Sequence, residues 1–336
     1  MGKRELLANV LESTHAGSLL SSTVAQWNGV VVFNYHRIGD AKKSKFDRAL
    51  FSATQEVFEK QVRFLKQNFD VIGVNDLQKA LHDPTSQSVL ITFDDGYLDN
   101  YEVAFPVLQQ FDATALFFIT SGYLDERTLS WWDEIAWMIR SSELKQIDWP
   151  EIFVDPLSLD NATHIRIAIR KVLLKLKSLP EELVNDFLDT LGTVVGTGRC
   201  PHDDADRLWM SWDMVREMDQ AGMGIGGHTV THPVLANCDT DRQMHEIESS
   251  KRRIEEELGH EITAFSYPVG QQDSFTYETQ AILQEVGYLW GFSFYGGYCP
   301  AMRFEQYDLK RMPVEQRMES NLFQSVARLP QIFARK

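Results

Sequence analysis

Residues 89–96 read Val-Leu-Ile-Thr-Phe-Asp-Asp-Gly. A short run of apolar and β-favouring residues without alternation suits a strand covered on both faces, as strands are in a parallel sheet. The run ends on two adjacent carboxylates and a glycine. Folds of the α/β class build active sites at the carboxyl ends of their strands, and Asp94 and Asp95 stand at that level. Neighbouring side chains leave the backbone in different directions, so one carboxylate can hold a metal while the other faces a substrate. Gly96 permits a tight turn beside them. A plain surface turn would have the same three residues, so the reading depends on the rest of the chain.

Outward from this run, the pattern repeats. Val30–Tyr35 (VVVFNY) and Thr114–Ile119 (TALFFI) are further apolar runs of strand length, with weaker candidates at Phe69–Ile72, Met223–Gly227, Ala264–Tyr267, Leu289–Phe294 and Leu309–Val314. Helical patterns lie between them. Ser52–Asn68 opens with a capping box from Ser52 and Gln55 and sets Phe58, Val62 and Leu65 on one face. Asn100–Phe111, Thr240–Leu258 (a second capping box, Thr240 and Gln243) and Ser274–Val286 follow. Alternation of strand and helix predicts an α/β fold with a parallel sheet, and about eight candidate strands favour a closed barrel over an open sheet. From about Asp125 to Trp212 the rhythm stops. That stretch has helical patterns, with clusters at Trp131, Trp132, Ile135, Met138 and Ile139 and at Ile165–Leu176, and no convincing strand. It is expected to be a helical insertion in a barrel spanning 29–336. Its tryptophans suit either a helix core or a platform for a ligand ring, and part of the insertion is expected to border the active-site cleft.

Composition narrows the partners. The chain has 336 residues, 43% of them hydrophobic, and a net charge of −15. It can bury a full core, and it lacks the concentrated basic charge that nucleic-acid phosphates require. Cys200, Cys238 and Cys299 are widely spaced with no C-x-x-C pair, which argues against a cysteine metal site or a disulfide framework. In 1–28, Leu6, Leu7, Val10 and Leu11 have helical spacing, interrupted by Glu5, Asn9, Glu12, Ser13 and His15. This predicts a helix packed on the domain, with peripheral membrane contact as the alternative, and neither a signal sequence nor a span; a cytoplasmic location is expected. The triplet at Asn161 has the form of a glycosylation acceptor, without a secretion signal to support it.

The second chemical element is Gly226-Gly-His228-Thr-Val-Thr-His232-Pro233. Histidines four apart share a face if the segment is helical, and imidazole is the commonest ligand for zinc and its neighbours. Two histidines and one carboxylate make a three-ligand site with a position open for water, as in catalytic zinc centres. The other reading is a pair of hydrogen-bonded loop histidines.

Taken together, Thr92-Phe93-Asp94-Asp95-Gly96, His228-Thr-Val-Thr-His232 and Phe265-Ser266-Tyr267-Pro268-Val269-Gly270 resemble, in order, the first three motifs of the polysaccharide deacetylase family, the NodB-homology domain or carbohydrate esterase family 4. The resemblance covers about 30–314 apart from the insertion. It implies an irregular (β/α)7–8 barrel and metal-dependent hydrolysis of N-acetyl groups on an amino sugar within a polysaccharide or glycoconjugate. It further implies that Asp95, His228 and His232 hold a divalent metal, most simply zinc. By the same resemblance Asp94 is the general base, and the backbone N–H of Val269 helps hold the oxyanion.

The chain departs from the family pattern at three places. Many members open the third motif with an arginine where Ser266 stands, and many have tyrosine where Val269 stands. Many also carry a late catalytic histidine, whereas no histidine follows His260 here. His36 is the expected substitute as general acid, because it follows the strand VVVFNY at the level of Asp94 and resembles the Tyr-His segment of circularly permuted relatives. Arg311, on the late strand Leu309–Val314, is the candidate to orient the base through paired hydrogen bonds. Either residue could instead be structural. The alternatives for function are a deacylase of a lipid-linked or small glycoside with another acyl group, and a non-catalytic carbohydrate-binding barrel. A serine esterase is disfavoured by the lack of a G-x-S-x-G elbow.

Overall fold

The computed structural model describes residues 6–9, 27–201, 205 and 207–333. Seven of the apolar runs form parallel strands: β1 (Gly29–Tyr35), β2 (Gln87–Phe93), β3 (Leu116–Ile119), β4 (Gly224–Gly227), β5 (Ala264–Ser266), β6 (Trp290–Ser293) and β7 (Leu309–Pro313). They pair in sequence order, and β7 pairs back onto β1, so the barrel closes. Most of their residues are buried, because helices cover the outside and side chains fill the inside. β1 runs beside β2 along its whole length, with Tyr35 opposite Phe93. That register brings Asn34, His36 and Asp94 to one level at the carboxyl end.

The closed barrel therefore has seven strands, within the expected seven to eight. The run Phe69–Ile72 contributes only Asp70–Val71, paired with the start of β2. The pairing lies on the edge of β2 that β3 takes further along at Thr92 and Phe93, and no described strand pairs with the run's own other edge, so it stays outside the closure.

Helices α1 (Gln55–Asn68), α2 (Trp131–Ser141), α3 (Ala162–Leu176), α4 (Val184–Val194), α5 (Thr240–Leu258), α6 (Tyr277–Val286) and α7 (Ser320–Arg328) supply most of the remaining regular structure. Two capping boxes expected from the sequence do not form. Thr54, not Ser52, caps α1 by accepting from Val57 N–H; Ser52 lies in a short strand and its hydroxyl accepts from His36 N–H instead. Asp239, not Thr240, caps α5 by accepting from Arg242 N–H, since a carboxylate one residue earlier is the better acceptor. The expected helix at Ser274 begins only at Tyr277, capped by Thr276.

The insertion has a core of its own, built around Ile135, Met138, Ile139, Trp149, Val172 and Leu191 from α2, α3, α4 and the segment between. It also contains a small antiparallel pair, Gln146–Ile147 with Leu157–Ser158, where no strand was expected. Asn161 caps α3, its side chain accepting from Thr163 and His164 N–H. At the N-terminus, residues 6–9 are helical, Ala8 is buried, and the Asn9 carboxamide accepts from Asn321 of α7. Val10, Leu11 and most of the expected segment 1–28 lie outside the described residues. Among those described, no helix is long and apolar enough to cross a membrane, and the three cysteines are free thiols.

Candidate active site

β2 delivers the two carboxylates. Its ladder continues one residue further, with Asp94 N–H donating to Tyr35 C=O. Asp95 and Gly96 then both take positive φ, 79° and 87°, which turns the chain sharply and sends the two carboxylates to different neighbours. Both are buried, so the surface-turn reading does not hold.

Asp94 meets Arg311. The guanidinium donates to Oδ1 at 2.7 Å and to Oδ2 at 2.9 Å, the paired geometry that fixes a carboxylate plane. Arg311 is itself fully buried and donates also to Asn34 Oδ1, Ser266 Oγ and Ser293 C=O. Asn34 Nδ2 completes the cradle, donating to Asp94 Oδ2 at 3.1 Å. Burial alone would push the Asp94 carboxyl up, but Arg311, with His228 and His36, holds it well below the usual carboxylate range. His36 Nε2 lies 3.9 Å from Asp94 Oδ2. Its ring packs edge-on against Phe294 and stays partly open to solvent. Burial lowers the imidazole pKa, while the two aspartates oppose that shift.

Asp95 meets the histidines. Its Oδ1 lies 3.4 Å from His228 Nε2 and 3.5 Å from His232 Nε2, and it accepts no hydrogen bond from the protein. One ligand atom from each of Asp95, His228 and His232 falls within 4.8 Å of the others. A buried carboxylate oxygen with no donor, facing two imidazole nitrogens, is the donor set expected around a divalent cation. His228 Nδ1 donates to Ser266 C=O at 2.7 Å, which leaves Nε2 as a free lone pair toward Asp95. Burial and the neighbouring His228 push the His232 pKa down to about 3, so its ring is neutral and able to act as a ligand.

Residues 228–232 are a turn and not a helix: Thr229 and His232 have φ of 66° and 58°. The histidines meet through this turn, which other elements impose. Glu246 of α5, wholly buried, accepts from Val230 N–H (2.7 Å), Thr231 N–H (2.8 Å) and Thr231 Oγ (2.7 Å). On the opposite side Ser121 and Gly122 donate their N–H groups to Thr229 and Val230. A Cβ at Gly122 would lie 2.5 Å from the Val230 carbonyl oxygen, so the close approach requires glycine there.

Val269 follows β5 with φ 64°, a strained conformation for a β-branched residue and of the kind that clusters at functional sites. α2 brings the insertion to the same place. The Trp132 ring lies 4.4 Å from that of His232, and Trp131 Nε1 donates to His232 C=O. A cavity of about 270 Å³ separates the insertion from the loop after His232, with Trp131, Glu134, Arg199, His232 and Arg242 in its walls.

Asn34 and Glu246 were not singled out in the sequence. Both had a visible signal: Asn34 is a polar residue inside VVVFNY, and Glu246 falls on the buried face of α5 with Gln243, Ile247 and Ser250.

A family model described as polysaccharide deacetylase matches residues 82–148 and 183–289, more than half of the chain, and leaves the whole of α3 outside. YxkH of Bacillus subtilis (strain 168), named as a polysaccharide deacetylase, is 24% identical over 208 residues, which are 62% of this chain and 45% of that protein. Among solved structures, the Streptococcus pyogenes deacetylase PplD in complex with acetate is similar at TM-score 0.57 and 18% identity, covering 90% of this chain and 99% of that one. IcaB from Ammonifex degensii is similar at TM-score 0.56 and 20% identity, covering 91% and 98%. These two share the barrel fold.

Proposed function

The chain belongs to the polysaccharide deacetylase family, and from that premise we propose that it is a metal-dependent hydrolase. Its substrate on this reading is an amino-sugar-containing polysaccharide or glycoconjugate, from which it removes N-acetyl groups. The observation that carries the proposal is the pairing of two differently prepared carboxylates. Asp95 Oδ1 is left without a donor beside two imidazoles, and Asp94 is clamped and ionised next to them.

On this reading Asp95, His228 and His232 hold the ion, zinc being the simplest match to one carboxylate and two imidazoles. The ion supplies Lewis acidity, polarising an acyl carbonyl and lowering the pKa of a water. Asp94 accepts the proton from the attacking water. Arg311 and Asn34 fix the plane of that carboxylate and keep it ionised, so it needs no proton loss before it acts. His36, on the other side of Asp94, returns a proton to the departing amine. On this reading the Val269 N–H helps hold the developing oxyanion, a role in keeping with its strained backbone.

The test is acetate release from acetylated amino sugars by zinc-loaded protein, together with metal analysis. Asp94→Asn is expected to keep the metal and lose activity, and Asp95→Asn or His228→Ala to lose the metal. Undiminished activity after complete removal of the metal would reject the reading.

A further inference from the structure

His228 and His232 are held in different ways. A ligating histidine usually donates its second ring N–H to a fixed acceptor, which sets both tautomer and orientation. His228 does so through Nδ1 to Ser266 C=O, at 2.7 Å. His232 does not: its Nδ1 is buried and has no hydrogen-bond partner. Packing takes the place of that bond. The Trp132 indole lies against the imidazole with ring centroids 4.4 Å apart and planes inclined by 63°. Trp131 Nε1 fixes the backbone, donating to His232 C=O at 3.2 Å.

Trp132 is in turn fixed at its far edge. Its Nε1 donates to Tyr97 Oη at 2.7 Å, and Tyr97 Oη donates to Asp133 Oδ2 at 2.8 Å. The Asp133 carboxylate is fully buried and also accepts from Ser130 Oγ and from Asp47 N–H. Tyr97 is two residues beyond Asp95 in the same turn. The contacts therefore close a ring: Asp95 to Tyr97 along the chain, Tyr97 to Trp132, Trp132 to His232, and His232 back to Asp95. The strand end that carries the carboxylate and the loop that carries the imidazole are braced against each other by α2, the first helix of the insertion.

We propose that Trp132, seated by Tyr97 and Asp133, is the positioning residue for His232, so that the insertion takes part in setting metal affinity. The proposal rests on the reading of Asp95, His228 and His232 as a metal site. A tryptophan that merely fills a core would contribute to stability alone; this one also sets the angle of a ligand.

The experiment measures Zn²⁺ affinity of chelator-stripped protein by competition with a chromophoric chelator, and the visible absorption spectrum of the Co²⁺-loaded form. Trp132→Leu is expected to weaken Zn²⁺ binding by about 10- to 100-fold, the range typical for loss of a ligand's support, and to alter the Co²⁺ spectrum. Trp132→Phe, which keeps a ring, should restore much of the loss. Tyr97→Phe removes one oxygen and leaves the indole N–H unpaired, so it should weaken binding to a lesser degree. Lowered Tm of the stripped variants, with Zn²⁺ affinity and Co²⁺ spectrum both within error of wild type, would overturn the proposal. If Trp132→Leu fails to fold, Tyr97→Phe decides: an unchanged affinity and spectrum overturn it. Wild-type protein that binds no Zn²⁺ overturns the metal reading itself, and this proposal with it; normal binding by every variant overturns this proposal alone.

Discussion

Arg311→Met isolates what the buried guanidinium does for Asp94. Methionine has similar length and no donor. In the native site the guanidinium reaches both Asp94 oxygens, Asn34 Oδ1, Ser266 Oγ and Ser293 C=O, so every N–H it possesses is used. After the change the carboxylate keeps the Asn34 carboxamide at 3.1 Å and the His36 ring at 3.9 Å. Removing one partner of a buried ion pair costs about 3–5 kcal/mol, because the other charge stays behind. Adding Asp94→Asn removes that stranded charge and should return on the order of 2 kcal/mol. The pH dependence supplies a second check. In wild type the folded Asp94 pKa is depressed, so its stabilisation is present above the ordinary aspartate range and is lost as pH falls. In Arg311→Met burial is the dominant influence and raises the pKa. The contribution then survives at acid pH and disappears as pH rises. The stability gap between the two proteins should therefore widen from pH 4 to pH 7. Urea unfolding of chelator-stripped protein measures all of this. A loss below about 1 kcal/mol at pH 7, or a double variant no more stable than Arg311→Met, would refute the reasoning.

Three further outcomes are expected. Glu246→Gln should cost about 2 kcal/mol, because a neutral carboxamide cannot accept all of the bonds that the carboxylate takes from Val230, Thr231 and Arg242; the unfolding midpoint and zinc content should fall together. His36→Ala should lower kcat on the order of a hundredfold or more while zinc stoichiometry stays unchanged, and near-native kcat would remove His36 from the reaction. Burial raises the Asp133 pKa to about 6 against the opposing pull of Arg37, so its proton is held more tightly in the folded state. That term stabilises at acid pH and is lost as pH rises through about 6, by on the order of 3 kcal/mol in all. Unfolding free energies at pH 4.5 and 7.5 should show this slope reduced in Asp133→Asn, and an equal slope in both proteins would contradict it.

How legible each part was depends on the distance over which it is determined. The apolar runs and the carboxylates at the end of β2 are set by their own strand, and both could be read from the sequence. Composition left the strand count at seven to eight, because Phe69–Ile72 reads as a strand while its place outside the barrel depends on β3 continuing along the same edge of β2. The caps moved by one or two residues because a better-placed Thr54 or Asp239 competes with Ser52 or Thr240. The turn at His228–His232 was hidden more deeply. Positive φ at Thr229 and His232 opposes local preference, and a carboxylate fifteen residues on in the sequence helps hold it. Arg311 shows the same principle within the barrel. Ser266 stands where the resembled pattern has an arginine, and here the guanidinium beside Asp94 arrives from β7 and donates to the Ser266 hydroxyl itself. β5 and β7 are separated by β6, so neither strand alone announces the exchange. The groups around Asp94 are gathered from β1, β5 and β7, so the serine on β5 shows where the Arg311 side chain ends only once the barrel has closed.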